Sequence, residues 1–276
     1  MERSGAGDAS YSHSGGYSPA GLFVALLVAL AIAAALSPIY AAALYYSPLA
    51  FINCFVTFGF GFAVGLGTSY GFRLGKVRST PLATRTAFGI GVLADYFGWV
   101  AWLLVAQHRL VWQPSDLIAV LGGLAEKGSW SIDGSTPTGT FLWLIWTVEL
   151  LAISIFSSLA AHSTLNQQVF CERCHVWLPK PKAYGPLEPI RPDQTAHISL
   201  ELLQALEPVS TATPVATFVE LRTCATCQLF SVYSVTLTTT TIGRDGKSSM
   251  RKAVLVRNAH ASSALIKALA AKRRGA

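Results

Sequence analysis

The chain has 276 residues, 52% of them hydrophobic and only 13% charged, about half the charged share of an ordinary soluble domain. That composition excludes a conventional soluble enzyme and indicates a membrane protein. Charge is also uneven: residues 1–161 hold 7 Lys/Arg against 7 Asp/Glu, whereas 162–276 hold 14 against 7, so the net charge of +7 belongs wholly to the C-terminal part. Two parts of different physical character follow.

Residues 1–19 read as a disordered N-terminal tail. Residues 20–161 then read as a bundle of four transmembrane helices, at about 20–46, 49–72, 86–107 and 140–161. Each stretch is long enough to cross a hydrocarbon core of about 30 Å at a helical rise of about 1.5 Å per residue. The first, AGLFVALLVALAIAAAL and onward, carries no charge and admits a kink at Pro38. A cleaved signal peptide is its rival, since Ala33 and Ala35 offer small residues for cleavage, but Arg3 is opposed by Glu2 and Asp8 where a basic leader is expected. Trp99, Trp102, Trp112 and Trp143 lie in or near the outer halves of the last two spans, where amphipathic rings prefer the interface.

Orientation comes from basic residues in short loops. Arg73, Lys76, Arg78 and Arg85 cluster after the second span, the connection after the first has none, and 108–139 has only Arg109 and Lys127. The 73–85 loop is therefore expected in the cytoplasm with both termini, in a bacterial inner membrane or its equivalent. Within 108–139, Ser115 is placed to cap a short apolar-periodic helix lying along the membrane surface, and a glycine-, serine- and threonine-rich loop follows.

The second span carries Gly61, Gly65, Gly67 and Gly71 at or near G-x-x-x-G spacing, which lets helix backbones approach closely in lipid. Packing within one bundle is the simpler use and a homo-oligomer face the alternative. Two carboxylates, Asp95 and Glu149, fall inside spans at matching depths. If brought together they would share a proton or bind a cation, because both cannot stay ionised alone in a low-dielectric site; otherwise each is a neutral or hydrogen-bonded packing residue.

Of five cysteines, Cys54 is a lone apolar residue of the second span. The others form two pairs, Cys171-Glu-Arg-Cys174 and Cys224-Ala-Thr-Cys227. Two such turns facing each other supply the four sulfurs that tetrahedral zinc prefers. A reducing cytoplasm disfavours disulfides and so favours metal, and the neighbouring Arg173 and Arg222 are expected to favour thiolates. Redox-active dithiols and an iron-sulfur centre are alternatives. Cys171 to His175 also reads C-x-x-C-H, the attachment sequence for c-type haem, but that chemistry requires the opposite side of the membrane and leaves Cys224 and Cys227 unexplained.

Residues 214–223 and 228–242 are rich in Val, Thr and aromatics and predict a hairpin built on the second cysteine turn, with 250–257 returning as a third strand. This arrangement resembles the zinc ribbon class over roughly residues 169–258. That resemblance implies one structural Zn²⁺ beside a small sheet, held by Cys171, Cys174, Cys224 and Cys227. The 49 residues between the pairs exceed a compact ribbon; their prolines predict an extended loop, with a helix over 194–206. Few large apolar side chains are evident, so this part is expected to lose its order without metal. A short C-terminal helix ends in Lys272, Arg273 and Arg274, suited to anionic lipid.

The fold class is accordingly a membrane all-α bundle followed by a small β-rich, zinc-ribbon-like cytoplasmic domain over 162–276. No Ser/His/Asp set, phosphate loop or H-E-x-x-H helix is present, which points away from an enzyme and toward binding or scaffolding. The expected partners are the lipid bilayer and a protein docked through the cytoplasmic domain; nucleic acid lacks the interleaved aromatic and basic platform it needs. A small proton or cation transporter using Asp95 and Glu149, and a membrane-bound thiol redox protein, are the competing functions.

Overall fold

The structure, a computed structural model, describes every residue except 1–9, 48, 129–135, 192–193, 195–197, 199, 211–212, 243–246 and 273–276. It divides into a helical unit, His13–Gln168, and a sheet unit that joins the residues up to Ser12 with Val169–Ala276.

The helical unit contains α1 (Pro19–Tyr46), α2 (Ala50–Leu74), α3 (Thr80–Gln107), α4 (Pro114–Lys127) and α5 (Gly139–Asn166). Among the described residues, four helices, all but α4, are long and apolar enough to cross a membrane. Two begin on serine caps: the Ser18 hydroxyl accepts from the Gly21 amide and the Ser79 hydroxyl from the Leu82 amide, each with proline in the first turn. The Ser79 cap starts α3 six residues before the expected 86, and α5 continues past 161 to Asn166, because hydropathy marks the apolar stretch rather than the helix ends. Helix α1 runs unbroken through Pro38. Proline has no amide hydrogen to give the preceding turn, and there the Ser37 hydroxyl lies 2.7 Å from the Ala33 carbonyl and 3.2 Å from that of Ala94 on α3.

Close backbone approach explains the glycines of α2. A Cβ at Gly61 would stand 2.7 Å from the Ile153 carbonyl oxygen of α5, and one at Gly65 would strike the Ser157 carbonyl. On another side of α2, a Cβ at Gly71 would stand 2.6 Å from the Ala25 carbonyl oxygen of α1, and Gly67 faces the Ile32 side chain. The glycines thus press α2 against two neighbours at once. Serines tie α5 to α3: Ser157 donates to the Ala87 carbonyl at 2.9 Å and Ser158 to that of Thr84 at 3.1 Å. Large apolar side chains such as Phe51, Phe55, Leu104 and Leu144 are exposed on the outside of the helices.

Helix α4 buries Leu117, Leu121 and Ala125, spaced one turn apart, against Leu103, Leu142 and Trp146. Trp99, Trp143 and Trp146 meet edge-to-face beside them. The cap differs from the expected Ser115. Gln113 takes that position because Pro114 occupies the first helical place, and the Ser115 hydroxyl bonds Asp116 instead.

The sheet unit orders β3 (Lys182–Leu187), β4 (Val215–Thr223), β5 (Ser231–Ile242) and β6 (Ser248–His260) as one antiparallel sheet; β1 (Phe170–Cys171) and β2 (Val176–Trp177) form a second, two-stranded ladder. The β4–β5 hairpin pairs Thr223 with Ser231 and continues in register to Val215 and Thr239. Strand β6 pairs along β5 from His260 to Ser248; the 243–246 turn lies outside the described residues. The proline-rich insertion is more structured than the expected loop. It contributes β3, whose Lys182 faces Leu221, and Pro186 is tolerated because β3 is an edge strand. The expected helix over 194–206 is, among described residues, the shorter α6 (Leu200–Ala205).

Alternation along the strands puts Val219, Leu221, Tyr233 and Val235 on one face, where Leu203 of α6 and Leu265 and Leu269 of α7 (Ser263–Lys272) cover them. This core is larger than the composition suggests, and it contains none of the cysteines.

The expected tail also carries structure. Ser10 bridges Ala259 at the end of β6, the Tyr11 amide donates to the Asn258 carbonyl at 2.8 Å, and the Tyr11 hydroxyl accepts from the Phe170 amide at 3.1 Å.

Candidate metal centre

Two short turns build the centre. The first bends between β1 and β2, where Cys171 pairs with Val176 and the Leu178 amide donates to the Val169 carbonyl at 2.8 Å. The second joins β4 to β5, where the Cys224 amide donates to the Phe230 carbonyl at 2.9 Å and the Gln228 amide to the Cys224 carbonyl at 3.0 Å. In both turns the residue after the second cysteine is left-handed: His175 has φ 52° and Gln228 φ 55°. Neither is glycine, so each turn holds an uncommon backbone state, and holds the same one. His175 therefore corresponds in place to Gln228. Its ring is exposed and meets Phe170 edge-on, with centroids 6.5 Å apart.

The burial of the two turns matches as well. Cys171 and Cys224 are buried, Cys174 and Cys227 half-buried, and the four sulfurs all lie within 4.8 Å of one another. Cys171 Sγ and Cys227 Sγ, from different pairs, stand 3.9 Å apart. A disulfide would need about 2.05 Å. Four thiolates about 2.3 Å from a tetrahedral ion would be separated by about 3.8 Å, so spacing and donor chemistry both fit a metal such as zinc. Val169, Leu178 and Val232 pack beside the buried pair and Tyr11 and Phe230 flank it, the last two edge-to-face at 6.1 Å.

Acidity differs among the thiols. Burial pushes the Cys171 thiol up, and burial followed by the neighbouring thiols pushes Cys174 up to about 12. The Leu229 and Phe230 amides pull Cys227 down to about 6. Backbone amides, rather than the expected Arg173 and Arg222, lower this group, so the centre begins with one readily formed thiolate.

Among the residues singled out in the helical unit, Gly61 and Gly65 meet α5 and Gly67 and Gly71 meet α1. Asp95 on α3 is buried, and one turn after it a Cβ at Gly98 would stand 3.2 Å from the ring of Tyr40 on α1. The Tyr40 hydroxyl of α1 donates to Glu149 Oε1 and lies 3.1 Å from the Thr57 hydroxyl of α2. Tyr40 and Thr57 carry no sequence signal, because both residue types are common in apolar helices, and only the fold collects them. Tyr11 is equally silent in a Gly- and Ser-rich segment. Cys54 is exposed and belongs to neither group.

Compared with family models, curated proteins and solved structures, the chain matches none.

Proposed function

We propose that the chain is an integral membrane protein that holds one structural zinc ion in a cytoplasmic sheet unit and acts as a binding or scaffolding module at the bilayer. The convergence of four sulfurs from two like turns carries this reading. Soft thiolates in a closed set suit zinc and leave no open position for a substrate. Cys171, Cys174, Cys224 and Cys227 would hold the ion, whose bonds would join β1–β2 to the β4–β5 hairpin. The unit is then an elaborated zinc ribbon, with β3 and β6 flanking the hairpin.

The topology has support independent of the loop charges. Ser10 and Tyr11 are hydrogen-bonded into the same unit as the residues after 168, which supports a topology with both on one side of the bilayer and an even number of crossings between them. Four candidate spans satisfy that requirement. Cleavage after Ala35 would remove both residues, which argues against a signal peptide. The basic 73–85 loop supports a cytoplasmic setting for the shared side, where thiols stay reduced.

Membrane-impermeant maleimide labelling of the full chain in sealed vesicles tests this reading. In inside-out vesicles Cys171, Cys174, Cys224 and Cys227 should react only after a strong chelator is added, and in right-side-out vesicles not at all. Labelling that ignores the chelator and follows added reductant would favour a thiol redox protein. Labelling from the outer face would overturn the topology.

A further inference from the structure

Each of the four apolar helices contributes one polar side chain to a single cluster: Tyr40 from α1, Thr57 from α2 and Asp95 from α3, all buried, and Glu149 from α5, half-buried; α3 reaches Tyr40 one turn after Asp95, where a Cβ at Gly98 would stand 3.2 Å from the Tyr40 ring. At helical rise, Tyr40, Thr57, Glu149 and Asp95 stand about 9, 10, 15 and 18 Å from the helix ends Tyr46, Ala50, Gly139 and Gln107. All four ends belong to the same half of the bundle, the one bearing the α1–α2 connection.

The hydrogen bonds have a direction. Tyr40 gives its only proton to Glu149, so its hydroxyl accepts from Thr57. Its ring is fixed by stacking on Phe60, centroids 4.2 Å apart. Asp95 is 7% exposed, yet it makes no hydrogen bond among the described residues. On the four helices themselves no basic side chain lies within two turns of these residues. Arg85 is about 15 Å from Asp95 along α3, and His162 and Arg73 are about 20 and 24 Å along their helices from Glu149 and Thr57. The other titratable groups on these helices are engaged or outward: Tyr96 donates to the Trp112 carbonyl, and Cys54, Tyr45, Tyr46 and Tyr70 are exposed.

We propose that Tyr40, Thr57, Asp95 and Glu149 form a binding site for one exchangeable proton. Asp95 and Glu149 approach one Tyr40 side chain from two helices, and in a low-dielectric site one proton removes the repulsion between two such carboxylates. Tyr40 donates to Glu149 and so favours Glu149 as the ionised member, which leaves the proton on Asp95. On release, the Asp95 O–H bond breaks, water takes the proton, and the carboxyl keeps the electron pair. A metal cation fits less well, because the Tyr40 hydroxyl already donates its proton to Glu149 Oε1, an oxygen that a cation would have to take over.

Reaction with dicyclohexylcarbodiimide, which modifies protonated carboxyls in apolar surroundings, tests the site in the full-length protein in liposomes. Peptide mapping should find one modification per chain, on Asp95. Its rate should fall about tenfold per pH unit above the titration midpoint. Glu149→Gln removes the neighbouring charge and should move that fall to lower pH, while Asp95→Asn should abolish labelling. Absence of label on Asp95, or a rate unchanged from acidic to alkaline pH, overturns the proposal in favour of a fixed packing residue. Protection by sodium or potassium at constant pH overturns it in favour of a metal cation site.

Discussion

Tyr11→Phe removes the hydroxyl that accepts the Phe170 amide at the edge of the metal centre. The Tyr11 hydroxyl accepts the amide of Phe170, a fully buried residue next to Cys171. Removing that oxygen while keeping the ring leaves a buried amide without this acceptor, at a cost of about 1–3 kcal/mol. Local opening of the first cysteine turn should rise by roughly 5- to 150-fold. Tyr11→Ala also loses the edge-to-face contact with Phe230, about 0.5–1.5 kcal/mol more. Amide hydrogen exchange read by mass spectrometry on the full chain reports this directly. Peptides covering 169–178 should lose protection in both variants, more in Tyr11→Ala, while those covering β4 and β5 away from the turn keep theirs. Unchanged protection over 169–178 in both variants would refute the assignment of Tyr11 to this unit, and with it the topological use made of it.

Three further outcomes follow. Gly65→Leu should weaken the bundle by about 1–3 kcal/mol or more, seen as a lower thermal midpoint in detergent, because a side chain there meets the Ser157 backbone; Gly59→Leu, with open space around the new Cβ, should leave the midpoint unchanged. Chelation should loosen 169–178 and 224–230 while the β3–β6 sheet persists by circular dichroism, since its apolar core contains no cysteine; global unfolding on chelation would contradict this. Metal uptake at neutral pH should release protons from at least Cys171 and Cys174, whose thiols are held protonated, so apparent affinity should fall about tenfold per pH unit for each proton displaced as pH drops. A pH-sensitive dye in weak buffer gives the proton count.

Hydropathy alone was enough to find the four long helices, because an apolar run of that length has few other uses. It could not place their ends. The start of α3 depends on Ser79 and Pro81, local features outside the apolar stretch. Alternating Val and Thr made β4 and β5 legible, whereas β3 was hidden by its prolines, which mark loops unless a sheet edge accepts them. The paired C-x-x-C turns announced their chemistry through spacing, and the matched left-handed residues His175 and Gln228 explain why the C-x-x-C-H string is better read as a turn than as a haem site. The polar cluster among the long helices was half visible. Asp95 and Glu149 stand out by charge, while Tyr40 and Thr57 matter only because the bundle brings them there.

Elemental analysis of the purified full-length protein beside its Cys174→Ser variant tests the central claim most directly. One zinc per wild-type chain, largely lost from the variant, is the predicted result. A wild-type protein without metal, or one whose metal content is untouched by the substitution, would contradict it.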